Sequence, residues 1–185
     1  EDVADTCTMP SEDFPVSISG LTLTRGQRNV QNSPGGAVYS EKSLTLDSVV
    51  ISASVAARGG GLGIQTRYPG QSVTIRNSSF IDNVAKPIAG ANVGTNGGGM
   101  LVRERCGTVT PGVMVDIADS LFQGNRTEPT DFSSAGAGIF ADTRSTLTIT
   151  DSRIVGNTIV AQNPSVPTQN NRGGGVSVES AVAVL

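Results

Sequence analysis

Read for polarity alone, the chain repeats one short motif. Two apolar residues alternate with polar ones, a polar turn follows, then one more apolar residue, then asparagine. The motif reads VTIRNSSFIDN over 73–83, VDIADSLFQGN over 115–125 and LTITDSRIVGN over 147–157. A weaker copy, VSISGLTLTRG, covers 16–26, and LTLDSVVISA over 44–53 reads as one residue short. Alternation with a period of two marks a β-strand with one buried face. The predicted strands are short, about three to five residues, because Gly, Asn, Asp and Ser turn formers bound each of them. No helical pattern of comparable length interrupts the series.

A second element lies between the copies. A glycine cluster leads into an apolar strand at Gly35-Gly36-Ala37-Val38, Gly59-Gly60-Gly61-Leu62, Gly97-Gly98-Gly99-Met100, Gly136-Ala137-Gly138-Ile139 and Gly173-Gly174-Gly175-Val176. Aligning the copies gives columns of like residues. Val73, Val115 and Leu147 form one, and Ile75, Ile117 and Ile149 the next. Phe80, Phe122 and Ile154 form a third, with Leu23 upstream, and Asn83, Asn125 and Asn157 a fourth. Such periodicity predicts a solenoid, in which one turn cannot bury its own inner face and neighbouring coils cover one another at about 4.8 Å spacing. A stacked Asn column would pass amide hydrogen bonds from coil to coil. Glycine clusters would turn the chain where a Cβ would clash. A doubly wound α/β sheet needs crossover helices of about ten residues or more, and the Gly-, Pro- and Asn-rich connections do not supply them. An antiparallel sandwich would not need like residues in register.

The pattern of glycines before an apolar strand, followed by Φ-T-Φ-x-[ND]-S-x-Φ-x-x-N, resembles the repeats of polymorphic outer-membrane proteins and related pectin-lyase-like β-helices. The resemblance runs from about Val16 onward, with Ile154 replacing the aromatic in the last copy and Gly26 and Ala53 replacing the Asn in the first two. It implies an all-β, right-handed parallel β-helix of about five to six coils with three short parallel sheets. Residues 1–15, polar and acidic, read as a lead-in segment or partial N-terminal cap, and 16–185 as the β-helix. The run from Ser180 to Leu185 stops inside an apolar strand with no polar cap, so the expectation is a longer polypeptide or an end covered by a partner.

Composition narrows the functional classes. With 37% hydrophobic residues and mean hydropathy −0.04, the chain holds no apolar run long enough to span a membrane. A net charge of −3 and a pI near 4.9 argue against a nucleic-acid surface, since Lys42 and Lys86 are the only lysines and the arginines are scattered. Histidine and tryptophan are absent. That removes Ser-His and Cys-His nucleophile systems and the commonest zinc ligand.

Four candidates carry chemistry. Asp119 and Asp151, preceded by Asp47 and Asn77, form a column whose spacing of about 5 Å would suit a carboxylate pair or a weakly held Ca²⁺. The competing reading is turn capping through their own side chains. Pectate and pectin lyases share the fold and use acidic Ca²⁺ ligands with an Arg base; Arg76, Arg103, Arg105 and Arg153 are available, but no three carboxylates match them. Cys7 lies nine residues before Val16, and Cys106 nine before Val115. That places them three coils apart, about 14 Å, so they are expected not to bond to each other unless the N-terminal segment folds back. Asn77-Ser78-Ser79 and Asn125-Arg126-Thr127 are N-glycosylation sequons, with Asn125, at a strand end, expected to be the less buried.

Three polar loops, over 84–96, 126–135 and 158–172, are expected to leave the coil at one corner, after the Asn column. The reading that follows is a non-enzymatic extracellular or cell-surface scaffold, an adhesin, passenger or filament module whose loops contact a glycan or another protein. The alternative is a polysaccharide lyase or glycoside hydrolase. End-to-end assembly through the open coil at Leu185 is a further expectation.

Overall fold

The computed structural model describes residues 13–30, 33–67, 70–87, 94–104, 112–129, 134–142, 145–160, 172–179 and the backbone of 182–184. Among these there is no helix, and every paired strand is parallel to its neighbours. The chain is a parallel β-helix.

Four sheets line the coil. The first stacks Val16–Ser19, Leu44–Asp47, Ser72–Arg76, Met114–Ala118, Thr146–Thr150 and Val182–Val184. The second stacks Thr22–Thr24, Val50–Ser52, Ser79–Ile81, Leu121–Gln123 and Arg153–Val155. The third stacks Val55–Ala56, Val84–Ala85, Arg126–Thr127 and Thr158–Ile159, and the fourth Val38–Ser40, Leu62–Thr66, Met100–Glu104, Ile139–Ala141 and Val176–Val178. The resemblance implied three sheets. The extra one is made of two-residue strands just after the Asn column, too short to show any periodicity in the sequence.

The expected columns are in register. Ile75 pairs with Ile117 and Ile117 with Ile149; Val115 lies between Val73 and Leu147. Phe122 lies between Phe80 and Ile154, and Ile51 and Leu23 continue that column upstream. The Phe80 and Phe122 rings stack with centroids 4.5 Å apart and planes 2° from parallel, a face-to-face geometry that the coil spacing imposes. Leu46, Ile51, Leu62, Ile64, Ile75, Phe80, Met100, Ile117, Phe122, Ile139 and Leu147 are all inaccessible to solvent or nearly so. Each such side chain contributes about 1.5–3 kcal/mol as an upper estimate.

The Asn column works as a hydrogen-bond ladder. Asn125 Oδ1 accepts from the backbone N–H of Asn83 at 3.0 Å and from Asn83 Nδ2 at 2.9 Å. Asn125 Nδ2 donates to the Phe80 carbonyl at 2.9 Å and to Asn157 Oδ1 at 2.9 Å. Asn83 and Asn125 are wholly buried, with both ends of each amide occupied. Upstream, Asn83 Oδ1 accepts from the Ser54 N–H, and Ser54 Oγ from the Gly26 N–H. Ser54, not Ala53, therefore holds the Asn position in the second coil. That copy is not one residue short, because its pairing keeps one offset from Leu44↔Val73 through Ala56↔Ala85. The ladder spans coils of 28, 29, 42 and 32 residues, so the register holds whatever length the loops take.

At the third position of the three middle clusters, Gly61, Gly99 and Gly138 face this ladder. A Cβ on Gly99 would sit 2.6 Å from the Gly138 carbonyl oxygen and 3.1 Å from the Asn125 amide. The first glycine turns the corner; Gly97 has φ +63°.

Candidate functional site

The carboxylate column resolves into turns. Gly20, Ser48, Asn77, Asp119 and Asp151 all have positive φ, from 48° to 64°, and the N–H of each of the first four reaches a carbonyl one coil on. Asn and Asp tolerate this left-handed conformation better than other non-glycine residues, which explains their recurrence before Ser. Asp119 and Asp151 are exposed at these corners. Asp47 is not part of the column: it pairs with Arg76, and Ser48 takes its expected place. Instead, Asp47 Oδ1 accepts from Asn77 Nδ2 at 3.1 Å and Ser48 Oγ at 3.0 Å; these bonds hold its carboxyl below the usual value. Among the described residues no three His, Cys, Asp or Glu side chains gather as a metal site.

The serine after each of the last three turns forms a second ladder, one the sequence pattern did not reveal. Ser78 Oγ accepts from the Val49 N–H, Ser120 Oγ from the Ser78 N–H, and Ser152 Oγ from the Ser120 N–H, each at 3.1 Å. The hydroxyls donate back to Arg76, Ala118 and Thr150 carbonyls. The recurring Asp/Asn-Ser pair was visible; that its hydroxyl reaches the neighbouring coil was not.

The candidate arginines are dispersed. Arg76 ends a first-sheet strand, Arg153 starts a second-sheet strand, and Arg103 lies in the fourth sheet, its Nε 3.4 Å from Asp142 Oδ2. Arg105, Cys7 and Cys106 lie outside the described residues, and the expectation about the cysteines with them. Arg58 donates from Nε to the Gly94 carbonyl; burial, then the Arg103 charge, push its guanidinium down, against the opposing pull of Asp142.

The sequons exchange roles. Asn125 is fully buried and its amide nitrogen already makes two hydrogen bonds, so it is not the accessible one. Its backbone sits at a strand end as expected, but the side chain turns inward to the ladder. Asn77, at an outward corner, is the exposed one.

A polar cluster unforeseen from sequence joins the first two coils. Tyr39 donates its hydroxyl to Glu41 Oε1 at 2.5 Å, and Arg67 Nη2 reaches the same oxygen at 2.8 Å. The Tyr39 hydroxyl also lies 3.0 Å from Gln65 Oε1, and the Arg28 guanidinium sits 4.7 Å from the ring centroid. Gln71, almost fully buried, donates to the Glu41 carbonyl and Asp13 Oδ1 and accepts from the Arg67 N–H. Asp13 Oδ1 also accepts from the Ser43 N–H. Burial works to raise the Asp13 pKa, but the Ser43 and Gln71 hydrogen bonds and the Lys42 charge outweigh it and hold the carboxyl low. The cluster clamps the segment before the first strand onto the coil. Only the coil register brings these side chains together, so no spacing in the chain announces them.

The loop exits form the remaining feature. The Lys86 N–H bonds the Ala56 carbonyl, the Glu128 N–H the Ala85 carbonyl and the Val160 N–H the Thr127 carbonyl. The three long connections thus start from one row at the end of the third sheet; their interiors, 88–93, 130–133 and 161–171, lie outside the described residues. No helix among the described residues is long and apolar enough to cross a membrane, which says nothing of membrane-crossing strands. No protein-family model, characterised protein or solved structure matches the chain.

Proposed function

We propose that the chain is a non-enzymatic scaffold of an extracellular or cell-surface protein, an adhesin, passenger or filament module of the pectin-lyase-like kind with polymorphic outer-membrane-protein-type repeats. Its task is to hold polar loops along one edge for contact with a glycan or another protein. The supporting observation is the row of loop exits, hydrogen-bonded in register from Ala85 to Thr127 to Ile159 despite unequal coil lengths. A register held by two side-chain ladders keeps the loop bases about 4.8 Å apart, a spacing suited to a repeating or extended ligand. The outer column of the first sheet reads Ser17, Thr45, Thr74, Asp116 and Thr148, a mostly hydroxyl surface that supports the same reading.

Binding of the labelled chain to immobilised mucin, hyaluronan and pectin tests this, with 88–93 and 161–171 replaced by short Gly-Ser linkers. The expected result is retention on one surface and a loss of about tenfold or more in the shortened variants, about 1.4 kcal/mol. Their melting temperature should hardly change, since loop length costs little. Equal binding by both forms would refute display. Release of unsaturated uronate from polygalacturonate, with or without Ca²⁺, would replace the scaffold by a lyase.

A further inference from the structure

Two arginines meet on the outer face of the fourth sheet. Arg58 precedes the glycine turn that folds the chain onto this face, where a Cβ on Gly59 would sit 3.1 Å from Leu101 Cβ. Arg103 is the next outward residue after Leu101 on the same strand. The half-buried Arg58 donates from Nε to the Gly94 carbonyl at 3.2 Å, and Arg103 Nε lies 3.4 Å from Asp142 Oδ2. Each guanidinium is held through its Nε, and among the described residues the Nη groups of both have no hydrogen bond. Burial and the Arg103 charge work against the ionised form of Arg58, and Asp142 offsets them only in part. Two guanidinium groups facing one carboxylate leave a single positive charge here, in a chain whose net charge is −3. Unanswered donors and a surplus charge at a half-buried place point to an anion.

We propose that Arg58 and Arg103 bind a sulfate ester of a sulfated glycan. The class follows from the two forks. A carboxylate has two oxygens, which a single guanidinium fills, whereas the three terminal oxygens of a sulfate ester accept from two. The single negative charge of the ester matches the one positive charge left over. Gln65 lies beside Arg103 in register, and one end of its amide meets the Tyr39 hydroxyl at 3.0 Å, which leaves the other end for a sugar hydroxyl. Beyond Arg103 the row continues with Asp142 and Glu179, so the anion sits on the Gln65 side. A protein partner would need an apolar anchor here, and Leu101 and Phe140 are only 1% and 3% exposed. The site rests on the glycan-contact reading above but places that contact on the sheet face rather than in the loops.

The test measures binding of the whole chain to immobilised chondroitin sulfate and to unsulfated chondroitin, which keeps the carboxylates. The sulfated polymer should bind about tenfold or more tightly, and Arg58→Gln and Arg103→Gln should each lose about tenfold. Arg103→Lys, which keeps the charge but not the fork, should lose several-fold. Arg153→Gln, on the second sheet, should bind as the parent chain does. Equal binding of the two polymers, binding of neither, or an equal loss in Arg153→Gln would overturn the site. Arg103 is half-exposed, so its variants decide the matter even if Arg58→Gln melts early. The chain with 88–93 and 161–171 replaced separates the two readings. A loss there with binding intact in Arg103→Gln overturns this site and keeps loop display; the reverse result keeps the site and refutes display.

Discussion

The first coil and the two interior coils of Asn83 and Asn125 follow one motif but are built to different strengths. The interior coils have a wholly buried Asn125 with four hydrogen bonds, and a stacked Phe pair and a Ser rung between them. The first has Gly26 at the ladder position and half-buried Ile18 and Leu23 at the core positions, with Val16 and Leu21 exposed. Polar interactions of the Asp13–Gln71 cluster hold it down instead. Stability in a solenoid is local, a sum over coils and their interfaces, so the two regions should respond differently to the same kind of change.

The largest expected contrast is in the ladder. Asn125→Ala leaves the Asn83 N–H and the Phe80 carbonyl buried without their partner, and should cost about 3–4 kcal/mol in urea unfolding. Ser54→Ala removes the acceptor of the part-buried Gly26 N–H and a bond to the part-buried Ser52 carbonyl, and should cost about 1 kcal/mol. Equal losses would mean that the ladder is no stronger in the middle than at the start. Next comes the glycine pair. Gly99→Ala drives a Cβ against the Gly138 carbonyl and the Asn125 amide, for about 2–3 kcal/mol, whereas Gly20→Ala meets nothing within 4 Å and pays only for its φ of +64°, about 1 kcal/mol.

Ala53→Gly works in the opposite direction. Ala53 is exposed with φ +51°, so glycine should raise stability by about 0.5 kcal/mol after its greater unfolded-state freedom is subtracted. The smallest effect is that of acid. Asp13 and Asp47 have folded pKa values below 3.8, so their contribution is complete above that value and is lost as pH falls through it towards the folded values. Amide exchange at Ser43 should quicken over that window while exchange at Asn83 does not; acceleration at both would erase the contrast between the coils.

Much of this architecture was legible in the chain. The Val, Ile, Phe and Asn columns could be aligned by eye because each coil must present the same residue at the same height to cover its neighbour. The positive-φ corners at Asn77, Asp119 and Asp151 were legible as turn formers for a local reason: few residues accept that conformation. The misreadings have a common origin. Ala53 for Ser54, Asp47 for Ser48, and Asn125 as the accessible sequon are each a matter of one position or of side-chain direction at a corner, where the two-residue period stops and local pattern carries no register.

The sequence by itself determined the inward columns, the parallel stacking and the turn chemistry, because these repeat in every coil and are set within a few residues. Only the tertiary structure decided that a fourth, two-residue sheet exists, that Ser120 and Ser152 form a ladder, and that Tyr39, Glu41, Arg67, Gln71 and Asp13 meet. Those contacts join residues up to 58 positions apart through the coil register. The intervening loops vary in length without disturbing that register, so no spacing along the chain encodes them.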